Sequence, residues 1–88
     1  MDSDNACDVL ENFSRRGWEV QTFRGTRAAF LRHAKSKMRI DIDLITFDVA
    51  VLGFGQIAHP DDWKPIAHSS TEEFLNEITA LMQQVENP

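Results

Sequence analysis

The sequence predicts an α+β fold: a two-layer sandwich in the order α-β-β-β(-β)-α, with an antiparallel three- or four-stranded sheet and both helices on one face. Three observations predict it. Apolar residues recur at helical spacing at both ends of the chain. Apolar and polar residues alternate over 38–44. The connections between extended runs are only a few residues long, which suits antiparallel neighbours and not parallel crossovers.

The first helix is expected over residues 4–16. Asp2, Ser3 and Asp4 supply capping groups and early negative charge. Ala6, Val9, Leu10 and Phe13 fall at i, i+3, i+4 and i+7, one apolar stripe. Arg15 and Arg16 suit the negative end of the helix dipole, and Gly17 suits the position after it.

Residues 18–24 read as a strand, with Trp18, Val20 and Thr22 on one face and Glu19, Gln21 and Phe23 on the other. Gly25-Thr26 reads as a two-residue turn, and 27–33 as the returning strand. Lys35-Ser36-Lys37 is a short polar connection into the run 38–55, around which the rest is organised.

In that run Ile40, Ile42 and Leu44 alternate with Arg39, Asp41 and Asp43. After Leu44 the phase slips, and Ile45, Phe47, Val49 and Val51 become the alternating apolar set. A slip of one residue exchanges the two faces. The chain can make the slip by a β-bulge, or by a tight turn near Thr46–Asp48 that starts a new strand. No Asn-Gly or Asp-Gly pair marks a hairpin there, so the run is read as one long bent strand, or as two strands with an irregular join. Gly53 and Gly55 end it.

Residues 56–68 have no clear period and contain Pro60 and Pro65, so an ordered loop is expected. The second helix is expected over 70–86. Ser69 or Ser70 can cap it, with Glu72 or Glu73 completing a capping box. Phe74, Leu75, Ile78, Leu81, Met82 and Val85 form a wide apolar stripe. Residues 66–75 resemble the closing helix of some bacterial immunity and toxin-neutralising proteins, a likeness of ten residues that assigns no family.

With 88 residues and no linker or repeat, the chain is read as a single domain, 1–88. A hydrophobic content of 42% and a charged content of 26% are ordinary globular values. The net charge of −5 disfavours direct nucleic-acid binding, which needs a basic face. The acidity suits a basic protein partner. Within this balance the cations crowd into the first half, at Arg15, Arg16, Arg24, Arg27, Arg32, Lys35 and Lys37. Cys7 is the one cysteine, so no intramolecular disulfide forms and a reducing, cytoplasmic location is expected. No signal-peptide pattern and no membrane-spanning run is read.

The leading functional expectation is a small acidic non-catalytic protein-binding module of the inhibitor, immunity or adaptor type. It would act through an acidic sheet face made of Asp41, Asp43 and Asp48, with Trp63 as aromatic anchor. A first alternative is a small-ligand-binding domain with an apolar pocket between sheet and helices lined by Phe30, Phe47, Phe54 and Trp63. A second is a metal-dependent hydrolase or nuclease using Asp41 and Asp43, which point the same way on a strand, with Asp48 as third ligand. His59, Asp61, Asp62 and His68 share one loop, but at no recognised ligand spacing. No cofactor and no catalytic residue is assigned. A homo-oligomer formed through a free sheet edge is compatible with every reading.

Overall fold

The computed structural model describes residues 1–88. Helix α1 (Ser3–Glu11) leads into strands β1 (Trp18–Phe23), β2 (Ala28–His33), β3 (Met38–Asp43) and β4 (Asp48–Gly53). A 3-10 turn (Pro60–Asp62), the short strand β5 (Lys64–Pro65) and helix α2 (Thr71–Glu86) follow. The sheet is antiparallel throughout, in the order β1-β2-β3-β4-β5. It has five strands, not three or four, because the loop before α2 contributes a two-residue edge strand beside β4. No helix is long and apolar enough to cross a membrane.

The phase slip after Leu44 is a hairpin. Strands β1 to β4 begin at residues 18, 28, 38 and 48, each six residues long and joined by four-residue turns. An antiparallel hairpin with an even-numbered turn pairs residues of opposite parity, as Leu31 with Ile40 and Ile42 with Val49. The inward-facing set therefore runs even on β1 (Trp18, Val20, Thr22), odd on β2 (Ala29, Leu31, His33), even on β3 (Met38, Ile40, Ile42) and odd on β4 (Val49, Val51). Of the two readings of 38–55 the bent strand is thereby corrected, and the run is two strands joined by a turn at 44–47. Asn-Gly was the wrong signal, since it marks two-residue turns. By the same token Gly25-Thr26 is the middle of a four-residue turn.

Each of these turns closes on a residue in the left-handed region, and none is glycine: Arg27 (φ 52°), Lys37 (φ 55°) and Phe47 (φ 58°). The ladder then extends one residue past each strand, because the carbonyls of Arg27, Lys37 and Phe47 accept from the amides of Leu44, Phe54 and Ile66. A non-glycine residue pays about 1–2 kcal/mol in this region. Lys37 is exposed and only its backbone is engaged. Lys37→Gly should therefore stabilise the fold by about 0.5–1 kcal/mol, the relieved strain being offset in part by the entropy glycine adds to the unfolded chain. A shift of the urea midpoint at constant slope measures it.

Helix α1 is shorter than its stripe suggests. Asp2 caps it, its side chain accepting from the Asn5 amide. Asn12 ends it, its side-chain amide donating to the Asp8 carbonyl at 2.8 Å. Asparagine competes well for backbone partners at such a position. Arg15, Arg16 and Gly17 consequently lie in the connection to β1, where Gly17 takes φ +89°. Helix α2 follows its expected bounds closely. Ser70 is the cap, accepting from the Glu73 amide, and Glu73 reaches back to the amide and hydroxyl of Ser69.

Both helices lie on the inner face of the sheet. Ala6, Cys7 and Leu10 of α1 and Phe74, Ile78, Met82 and Val85 of α2 join Ala29, Leu31, Ile40, Ile42 and Val49 in one core. Leu44, Phe47 and Ile66 close it at the β3–β4 end. Trp18 packs against this core, as its place at the head of β1 suggests. Cys7 is buried and free, and burial pushes its thiol pKa up, away from reactivity.

Candidate functional site

The register that buries one face defines the other. Across β1 to β5, Phe23, Ala28, Asp43, Asp48 and Pro65 form one outer row. Gln21, Phe30, Asp41 and Ala50 form the next, and the β4–β5 register continues to place Trp63 opposite Ala50. Glu19, Arg32, Arg39 and Leu52 form the third. Asp41, Asp43, Asp48 and Trp63 therefore share one sheet face. The hairpin, not a bulge, is what brings Asp48 beside Asp43.

Their environments differ. Asp41 is 7% exposed and accepts from Arg39 Nε at 2.9 Å. Arg39 spends its other donors on the segment after β4: Nη1 donates to the carbonyls of Gly53 (2.8 Å) and Phe54 (2.7 Å), and Nη2 to that of Gln56. The Asp41–Arg39 pair is thus the post that pins residues 53–56 across the outer face. Asp43 is half-buried, and its Oδ1 accepts from the amides of Ile45 (2.8 Å) and Thr46 (3.2 Å), which shapes the β3–β4 turn. Asp48 is half-buried, and its carboxylate makes neither a hydrogen bond nor an ion pair. It stands directly opposite Asp43.

Around these carboxylates the outer face is aromatic. The rings of Phe23 and Phe30 lie 5.2 Å apart, and Phe23 is 43% exposed. Arg32 lies over the ring of Phe54 at 4.6 Å.

The four aromatics expected to line one apolar pocket do not converge. Phe30 faces outward against Phe23, and Phe54 lies beneath Arg32. Phe47 faces inward, stacked on His68 at 4.2 Å and edge-on to Phe74 at 5.8 Å. Trp63 falls on the outer register, on the other side of the sheet from Phe47. The loop residues also separate. Asp62 accepts from the His59 amide within the 3-10 turn, whereas His68 is half-buried, stacked on Phe47, and its Nδ1 faces the Ile66 carbonyl. No group of three His, Cys, Asp or Glu side chains is placed to hold a metal ion.

The sequence reading missed a cluster at the other end of the sheet. Glu86, in the last turn of α2, accepts from Arg15 Nε and Nη2 and from the Trp18 indole, each at 2.7 Å. This bidentate pair holds the Glu86 carboxyl well below the usual carboxylate range, at about 2. It ties the C-terminal turn of the chain to the α1–β1 connection. His33 lies beside it, 4.8 Å from Trp18 ring to ring. No local signal announces contacts between residues this far apart in the chain. At the opposite end Arg24 pairs with Asp8 and Glu11, which lowers the Glu11 pKa and fastens α1 to the end of β1.

Comparison of the chain with protein-family models, with curated proteins and with solved structures gives no match.

Proposed function

We propose that this chain is a non-catalytic protein-binding module, of the inhibitor, immunity or adaptor kind, that engages a basic partner through the outer face of its sheet. The supporting observation is the pair Asp43 and Asp48, directly opposed across β3 and β4 with no cation of the chain on either. Like charges at opposed sheet positions are destabilising. A lysine or arginine supplied from outside would relieve that repulsion.

The neighbourhood suits such a partner. Phe23 and Phe30 offer an aromatic anchor within the same rows, and aromatics beside complementary charge are typical of binding hot spots. Asp41 contributes indirectly, because Arg39 neutralises it and uses it to hold the covering segment. Trp63 flanks the patch from the β5 side.

Capture from a cell extract tests the reading, with three baits: the native chain, Asp48→Lys and Glu72→Lys. Glu72 is exposed on α2, so the two variants change charge equally on different faces. A partner held by the native chain and by Glu72→Lys should be lost at least about tenfold with Asp48→Lys, as expected for reversal of a close interfacial charge. Its capture by the native chain should also weaken as salt rises. Capture indifferent to Asp48→Lys, or equally reduced by Glu72→Lys, contradicts the proposal.

A further inference from the structure

The end of the sheet remote from Asp43 and Asp48 carries a second cluster of opposite sign. Arg15, Arg16 and Gly17 from the α1–β1 connection, His33 from the end of β2, Lys35 from the β2–β3 turn and Glu86 from α2 line an open cleft of about 680 Å³. Arg15 is occupied by Glu86. Arg16 and Lys35 are exposed and belong to no ion pair, which leaves the cleft with a net positive charge in a chain of net charge −5.

His33 shows what this charge serves. The residue is 92% buried, its relative exposure being 8%. Its Nδ1 lies 2.7 Å from Ser36 Oγ, which fixes the ring. Its Nε2 makes no hydrogen bond within the chain, yet no buried side-chain nitrogen or oxygen is left unpaired. The nitrogen therefore opens onto the cleft that the residue lines. Gly17 lies against it: a Cβ built there would touch Nε2 at an ordinary contact distance of 3.6 Å, and the φ of +89° favours glycine at that position.

A mostly buried, oriented imidazole whose free nitrogen opens on a cleft that two unpaired cations also line supplies, with them, a donor set for an oxyanion. We propose that this cleft binds a phosphate group, with His33 Nε2–H, the Arg16 guanidinium and the Lys35 ammonium as donors. The anion selects the tautomer in which Nε2 carries the proton and Ser36 Oγ–H donates to Nδ1, in place of its longer 3.4 Å bond to the His33 carbonyl. The Arg15–Glu86 pair forms one wall and stays formed, since its carboxyl remains ionised well below neutrality. Two positive charges match a phosphate dianion. This site lies at the other end of the strands from the acidic pair and stands or falls independently of it.

The test is an NMR titration of the ¹⁵N-labelled chain with inorganic phosphate and, separately, with phenyl phosphate, at matched ionic strength. The expected result is a saturable shift of the His33 ring Nε2 and the Gly17 amide through the millimolar range. Arg16→Glu and Lys35→Glu, both at exposed positions that leave the core untouched, should weaken binding at least about tenfold each. Lys64→Glu, on β5 at the other end, should leave it unchanged. Tighter binding of phenyl phosphate assigns the site to an organic phosphate ester; tighter binding of inorganic phosphate assigns it to the free ion. Linear, non-saturating shifts with both anions, or equal weakening by Lys64→Glu, overturn the proposal.

Discussion

Arg39→Met is expected to lose about 3–5 kcal/mol of stability, because it leaves the buried Asp41 carboxylate without its counter-charge. A domain of this length holds only about 4–13 kcal/mol in total, at ~0.05–0.15 per residue, so the variant stands near the edge of folding. Three carbonyls lose their donor as well, those of Gly53, Phe54 and Gln56. The segment they belong to should then detach from the outer face, visible as loss of amide protection at 53–57. Arg39→Lys should recover little, since one ammonium cannot fan out to four acceptors as the planar guanidinium does. Arg39→Met with Asp41→Leu should recover a large part of the loss, because replacing both partners of a buried pair is far cheaper than orphaning one. Urea midpoints for the four proteins settle it. A single variant as stable as the native chain, or a double variant worse than the single, would show that Asp41 is not held by this pair.

Phe47→Ala is the second large effect, expected at about 3–5 kcal/mol for an aromatic truncation in a core. Phe47 is unusual in carrying two duties. Its backbone closes the β3–β4 turn in the left-handed region, and its side chain, 5% exposed, plugs the end of the core between His68 and Phe74. Alanine keeps the backbone cost and forfeits the packing. Ile45, two residues away in the same turn and 67% exposed, provides the contrast: Ile45→Ala should stay within about 0.5 kcal/mol. Equal effects at the two positions would mean that the turn, not the ring stack, is what matters there. The stack has its own signature, an upfield ring-current shift of the His68 Cε1 proton that the Phe47 variant removes.

The period of the apolar residues made much of the fold readable. Helix α2 is legible because its stripe, its capping serine and its N3 glutamate all agree. The strands of the first hairpin were legible for the same reason on β1, less so on β2, where Ala28, Ala29 and Phe30 blur the alternation. The turn at 44–47, one of two ways to read the phase slip, is masked by its own composition. Leu44, Ile45 and Phe47 look like strand residues, and two of them, Leu44 and Phe47, are buried as such residues would be. Parity held the answer, since a switch of the inward set is what an even-numbered hairpin turn requires. The end of α1 was misjudged because Phe13 continues the stripe. It packs on the core from the connection, directly after the Asn12 cap.

The candidate site was half legible. Period two placed Asp41 and Asp43 on one face, and the hairpin register adds Asp48. Burial separated their roles, and burial depends on where Arg39 and residues 53–56 go, which no local pattern states. The Glu86–Arg15–Trp18 cluster, and with it the packing of His33 against Trp18, is long-range in the same way. Such contacts emerge only when both ends of the chain meet on the sheet.

The central claim is that the fold keeps two opposed carboxylates at a cost to itself. Asp48→Asn measured by urea denaturation at low and high salt tests it most directly. The account predicts a variant more stable than the native chain by about 0.2–1 kcal/mol at neutral pH and low salt, with the difference shrinking as salt screens the repulsion. A variant of equal or lower stability at low salt would contradict it, since Asp48 would then already be satisfied within the fold.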